Sequence, residues 1–109
     1  MKVSGDPIFL TMCKQFDVPA PTCEFEFDPK RKWRFDYSWK VPYSSIWVAL
    51  EVEGGAWTRG RHTRGKGFES DISKYNSALL LGWRVLRCTP DTLRTMATIE
   101  MIRTLLGRK

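Results

Sequence analysis

The sequence predicts an α/β (α+β) fold in which helices flank a mixed four-stranded sheet. Two observations carry this expectation. Segments of period-two and near-continuous apolar character alternate with segments of helical period, in the order α-β-β-β-α-β-α. A meander of three strands that is followed by a helix and one more strand requires a crossover, hence a mixed sheet with helices packed on it.

Asp6 and Pro7 open a first helix over residues 7–16, as N-cap and first-turn proline. Pro19 and Pro21 bar its continuation. Glu24-Phe25-Glu26-Phe27 alternates, which places Phe25 and Phe27 on one face of a strand. Asp28-Pro29-Lys30 reads as a turn. Trp33, Phe35 and Tyr37 then alternate with Arg34, Asp36 and Ser38 in a second strand, antiparallel to the first. The apolar run Ile46-Trp47-Val48-Ala49-Leu50 continues to Val52 and predicts a central strand buried on both faces, ended by Gly54-Gly55. Phe68, Ile72, Tyr75 and Leu79 recur at helical spacing and define the apolar face of a crossover helix that Gly82 terminates. Trp83 to Cys88 forms the last strand. Thr89 or Pro90 opens a final helix through about Leu106, with Leu93, Met96, Ile99 and Ile102 as its stripe.

The chain has 109 residues, a length suited to a single domain, with a core at about 24–90 and the last helix at about 90–106. Lys and Arg number 18 against 12 Asp and Glu, a net charge of +6 and a pI near 9.5, which favours a polyanionic partner. Arg59, Arg61, Arg64 and Lys66 lie between Gly54 and Gly67 with His62 and no acid among them. Lys30-Arg31-Lys32 with Arg34 forms a second basic cluster. These runs are either solvated loops or contacts to a phosphodiester backbone. Cys13, Cys23 and Cys88 share no C-x-x-C spacing, so neither a zinc motif nor a disulfide framework is expected, and a reducing compartment is. The N-terminal residues lack the apolar segment of a signal peptide and no run reaches membrane-spanning length; a soluble intracellular protein is expected.

The chemistry concentrates in Trp33-Arg34-Phe35-Asp36 and in Ala49-Leu50-Glu51-Val52-Glu53-Gly54-Gly55. Carboxylates on half-buried strands repel one another and are costly to desolvate, and a divalent cation removes both penalties. If the second and third strands are neighbours, Asp36 and Glu51 come side by side. Glu53, two residues on, shares the face of Glu51. With a carbonyl near Val52 they form an oxygen donor set for Mg²⁺ or Mn²⁺ and not for zinc. The alternative is that Glu51 and Glu53 are exposed edge residues paired with local arginines. His62, the sole histidine, is either a surface residue or phosphate contact, or a group that moves a proton or orients water. Lys74 on the crossover helix is either solvated or reaches a scissile phosphate. Glu69 and Asp71 are first-turn acids that complement the helix dipole. No phosphate-binding G-x-x-x-x-G-K-[ST] loop and no dinucleotide fingerprint is present, and spacing supports no Ser-His-Asp arrangement.

Together, W-R-F-D, L-E-V-E-G-G, G-R-H-T-R-G-K-G-F, D-I-S-K-Y-N and L-G-W-R-V-L-R resemble the PD-(D/E)XK nuclease superfamily over roughly Glu24 to Pro90. In particular they look like small phage- and prophage-type endonuclease domains related to very-short-patch repair enzymes. The resemblance implies a restriction-endonuclease-like α-β-β-β-α-β core with an added C-terminal helix. It makes Asp36 the motif Asp and Glu51 the motif acid, and puts Glu53 where the signature has Lys. Members that relocate this lysine to the following helix make Lys74 its substitute, and Glu26 is an additional candidate ligand. The implied activity is Mg²⁺- or Mn²⁺-dependent hydrolysis of DNA phosphodiester bonds, in a bacterial or phage-infected cytoplasm. Asp36, Glu51, Val52, Glu53 and Glu26 would serve the metal. Lys74 and His62 would stabilise charge or move protons, and Arg59, Arg61, Arg64, Lys66, Lys30, Arg31 and Lys32 would hold DNA. The alternatives are a branched-DNA (Holliday junction-type) resolvase acting as a homodimer, and a non-catalytic nucleic-acid-binding module on the same fold.

Overall fold

Helix α1 (Pro7–Gln15) precedes strands β1 (Thr22–Asp28), β2 (Trp33–Lys40) and β3 (Trp47–Val52); helix α2 (Lys66–Leu80), strand β4 (Trp83–Cys88) and helices α3 (Pro90–Leu93) and α4 (Met96–Leu105) follow. The computed structural model describes residues 5–53 and 66–108, and side chains in the second stretch from Glu69 onward. The strands form one mixed sheet in the order β1-β2-β3-β4, antiparallel except for the parallel β3–β4 pair. The α+β class and the crossover through α2 thus follow the expected order. Among the described residues no helix is long and apolar enough to cross a membrane.

Alternation along β3 divides the core. Val48 and Leu50 face a cluster with Phe9, Tyr37, Trp39, Ile99 and Ile102, while Ala49 faces one with Phe35, Ala78 and Trp83. Helices α1 and α4 therefore cover one side of the sheet and α2 the other. All three of those β3 residues are fully buried, as a central strand requires. On the α2 side Phe27 stacks on Phe35 at 4.4 Å, and Trp47 meets Trp83 at 5.2 Å.

Local chemistry sets the helix ends. Asp6 Oδ1 accepts from the backbone N–H groups of Ile8 and Phe9 at 2.8 and 3.2 Å, capping α1 behind Pro7. The helix stops before the prolines, because Asp17 adopts φ 61° just past the C-cap Phe16. Gly82, at φ 92°, ends α2 as expected, its N–H reaching the Leu79 carbonyl at 3.0 Å.

Three expectations need correction. The final helix is broken in two, because Thr95 is extended (φ −122°, ψ 154°) and caps α4 by accepting from the Thr98 N–H. Within its stripe Leu93, Ile99 and Ile102 are buried, but Met96 is 40% exposed. On α2 the buried face is turned from the expected one: Ala78 is fully buried and Tyr75 half-buried, whereas Ile72 and Leu79 are exposed; Phe68's side chain lies outside the described residues. On β2 the alternation reverses, with Phe35 in the α2-side cluster and Tyr37 in the α1-side cluster. On β1, Cys23 and Phe25 part in the same way, and Glu24 between them has φ 55°. A left-handed residue in a strand turns the chain over, so the strands change parity together at Glu24 and Asp36.

Ile99→Ala should destabilise the fold by about 2–5 kcal/mol in urea titration. Met101→Ala, on the outer side of the same helix and 44% exposed, should change stability by less than about 1 kcal/mol. Equal losses would contradict the packing of α4.

Candidate functional site

The antiparallel ladder between β2 and β3 runs from Lys40↔Trp47 to Tyr37↔Leu50. Beyond that point two side chains join the strands. Glu51 Oε1 accepts from the Asp36 backbone N–H at 2.9 Å, and Asp36 Oδ2 accepts from the Val52 N–H at 2.7 Å. This reciprocal exchange brings Asp36, Glu51 and Val52 together at one strand junction. β3 stays paired with β4 here, through Val52↔Cys88 and the Glu53 N–H to the Cys88 carbonyl at 2.7 Å.

Glu51 is 8% exposed, and burial pushes its carboxyl above the usual carboxylate range. The Lys74 ammonium, donating to Oε2 at 2.7 Å, pulls it back, as does the Asp36 N–H, while the charge of Asp36 adds to the rise. Desolvation wins. Lys74 is itself well covered, lying 5.2 Å from the Phe35 ring and 5.7 Å from the Tyr75 ring. Helix α2 thus delivers its lysine to the acid at the end of β3.

Glu53 is held differently. Its Oε2 accepts from Tyr75 Oη at 3.0 Å and from Arg87 Nε at 2.7 Å, and the Arg87 guanidinium lies 4.6 Å over the Tyr75 ring. Burial and the charges of Glu51 and Glu53 raise the Tyr75 pKa, so the phenol keeps its proton. Arg87 gains basicity from the Glu53 hydrogen bond. Glu53 thus pairs with an arginine of the neighbouring strand, and Glu51 is buried rather than an exposed edge residue.

On the α1 side a cavity of about 620 Å³ opens beside Asp36, lined also by Asp6, Glu24, Tyr37, Val52, Asp91 and Arg94. Among the acids of this lining, Asp6 is bonded to Arg94 at 2.7 Å. Glu26, the expected additional ligand, lies across from Arg34 at 3.8 Å; Glu24 is the acid of β1 that shares a cavity with Asp36. Among the described residues no three His, Cys, Asp or Glu side chains converge on one point. What does meet at the junction is two carboxylates and Val52. Val52 contributes its N–H to this junction, and two carboxylates are as many as Mg²⁺, which keeps several waters, commonly takes from a protein.

A groove of about 540 Å³ runs between the β1–β2 turn and α2, lined by Arg31, Trp33, Glu69, Ser73, Asn76 and Ser77 among others. The Arg31 guanidinium lies 5.0 Å over Trp33 and is tied to Asp28 at 3.1 Å. Lys30 and Lys32 are exposed on the same turn. Arg59, Arg61, His62 and Arg64 lie outside the described residues, as does the side chain of Lys66. Cys13, Cys23 and Cys88 are free thiols; burial raises Cys13 and Cys88 to about 11.

Sequence reasoning missed Glu24, Tyr75 and Arg87. Arg87 carried a legible signal, because strand alternation gives it the parity of Trp83 and Val85 and so aims it at the α2 side. Glu24 carried none: its place depends on a positive φ that no residue preference announces for glutamate.

Because its native pKa is raised, Glu51 binds a proton more tightly folded than unfolded. Its contribution to stability is fully present below the ordinary value of 4.5 and is lost as pH rises through the native value. Glu51→Gln lacks this titration, so its melting temperature should vary less between pH 4.5 and neutrality than that of the parent protein. The same pH dependence in both proteins would contradict a raised Glu51 pKa.

No protein-family model matches this chain, and no curated protein or solved structure matches it either. What the protein does must therefore be read from its own geometry.

Proposed function

We propose that the chain is a metal-dependent endonuclease of restriction-endonuclease-like fold that hydrolyses DNA phosphodiester bonds. The observation that carries this is the Lys74 ammonium at 2.7 Å from Glu51, with Asp36 bonded reciprocally to the same strand end. An acid pair on adjoining strands with a covered ammonium beside it supplies both charges that phosphoryl transfer uses. The resemblance to PD-(D/E)XK nucleases supports the reading, since it singles out these three residues and makes Lys74 the substitute for the lysine that Glu53 replaces.

Asp36, Glu51 and the Val52 carbonyl would hold Mg²⁺ or Mn²⁺. When bound, such an ion polarises a phosphoryl oxygen and lowers the pKa of a coordinated water. Lys74 donates toward negative charge developing on the phosphate oxygens, and Glu51 keeps the ammonium aimed. The Asp36 N–H holds Glu51 Oε1, which limits rotation of the carboxylate. Lys30, Arg31 and Lys32 meet the DNA backbone at the turn, where Trp33 offers an aromatic surface for a base.

Incubation of labelled linear, nicked, single-stranded and branched DNA with Mg²⁺ or Mn²⁺ tests this. Asp36→Ala and Glu51→Ala should both reduce cleavage to background, and Lys74→Ala should slow it by a factor on the order of 10²–10³. Undiminished metal-dependent cutting by the two acid variants would refute the assignment. Joint replacement of Lys30, Arg31 and Lys32 by Ala should weaken binding alike for unrelated sequences and flatten its salt dependence. The log–log slope should fall by about 0.7–0.9 for each phosphate no longer neutralised. An unchanged slope would remove this turn from the DNA-binding surface.

A further inference from the structure

Helix α2 carries Lys74, and among its described residues Ala78 and Tyr75 pack in the core on this side of the sheet. Ala78 is fully buried, but Ile72, Leu79 and Leu80 are 45, 69 and 86% exposed. A lysine has a long flexible stem, so the position of its ammonium depends on what holds the helix beside it. Polar contacts one residue further along fix the helix here. Tyr75 Oη lies 3.0 Å from Glu53 Oε2 and 3.4 Å from Glu51 Oε2. A phenol has one proton to donate, and the shorter contact commits it to Glu53. The nearer acceptor thus draws the hydroxyl away from Glu51, leaving Glu51 Oε2 to the ammonium at 2.7 Å.

Glu53 is fixed in turn. Its backbone N–H continues the parallel pairing with β4, and Arg87 from β4 both bonds its carboxylate at 2.7 Å and covers the Tyr75 ring at 4.6 Å. Tyr75 is therefore gripped at its hydroxyl by Glu53 and over its ring face by Arg87. Lys74 is its immediate neighbour on the helix, so displacement of one displaces the other.

We propose that Tyr75, anchored by Glu53 and Arg87, is a positioning residue that fixes the reach of Lys74 to Glu51, and that Glu53 serves the site as this anchor. The proposal rests on Lys74 and Glu51 acting together in the proposed hydrolysis, but it is tested first without activity.

The direct probe is the proton–nitrogen NMR signal of the Lys74 ammonium, which is retained when the group is hydrogen-bonded and shielded from water. Tyr75→Phe and Glu53→Ala should each weaken or erase it while the amide spectrum shows an intact fold. Glu53→Gln, which keeps an acceptor for the phenol, should retain it. In cleavage assays with Mg²⁺, Tyr75→Phe should lower kcat about tenfold with KM unchanged, and should add nothing further in a Lys74→Ala background. An unchanged ammonium signal in both Tyr75→Phe and Glu53→Ala, or effects that multiply in the Tyr75→Phe/Lys74→Ala double variant, would overturn the proposal. Should Tyr75→Phe fail to fold, Glu53→Ala and Arg87→Gln decide by the same signal. If the parent protein cuts no DNA, the nuclease reading fails, while the ammonium signal still decides the role of Tyr75.

Discussion

A carboxylate buried at the end of β3 governs much of this structure. Glu51 has given up most of its contact with water, and an ionised carboxylate in that position is tolerable only if other groups replace that solvation. The Lys74 ammonium and the Asp36 N–H do so. Each comes from a different element, so satisfying one side chain ties α2 and β2 to β3. Removing one partner of a buried pair commonly costs about 3–5 kcal/mol, which makes this junction a structural constraint as well as a chemical one.

The backbone accommodates the junction. The β2–β3 ladder ends at Tyr37↔Leu50, and the side chains of Asp36 and Glu51 take over the bonding that backbone groups would otherwise share. Opposite Asp36, Glu24 adopts a left-handed conformation that a glutamate reaches only at a cost of about 1 kcal/mol or more. That turnover lets Phe35 pack toward α2 and Tyr37 toward α1, so both faces of the sheet remain filled beside the site. It also leaves Asp36 on an open cavity while Glu51 is engaged by α2. The two acids meet at one strand end, each bonded to a backbone N–H of the other strand.

Much of the fold could be read directly. β4 coincides with the segment its apolar pattern marked, and Asp6, Pro7 and Gly82 act at the helix ends as their chemistry requires. Errors arose where one local signal competed with another. A threonine within an apolar stripe offered a cap that interrupts a helix, and Thr95 does so. Ile72 and Leu79 have helical spacing, but the small Ala78 and the amphipathic Tyr75 allow α2 to approach the sheet, so the bulkier residues face outward.

The same division holds for the site. Asp36, Glu51, Glu53 and Lys74 could be picked out as charges in segments that otherwise read as buried, because apolar periodicity and formal charge are written residue by residue. Which charge meets which could not. Glu51 takes the lysine and Glu53 takes Tyr75 and Arg87, pairings that span between 22 and 34 positions along the chain. They arise from the parallel register of β3 with β4 and from the rotation of α2 about its axis, and both are set by packing across the sheet. Sequence alone determined the order of the elements and the candidate acids. Tertiary structure decided their partners, because a side chain's reach depends on where its backbone is placed in space.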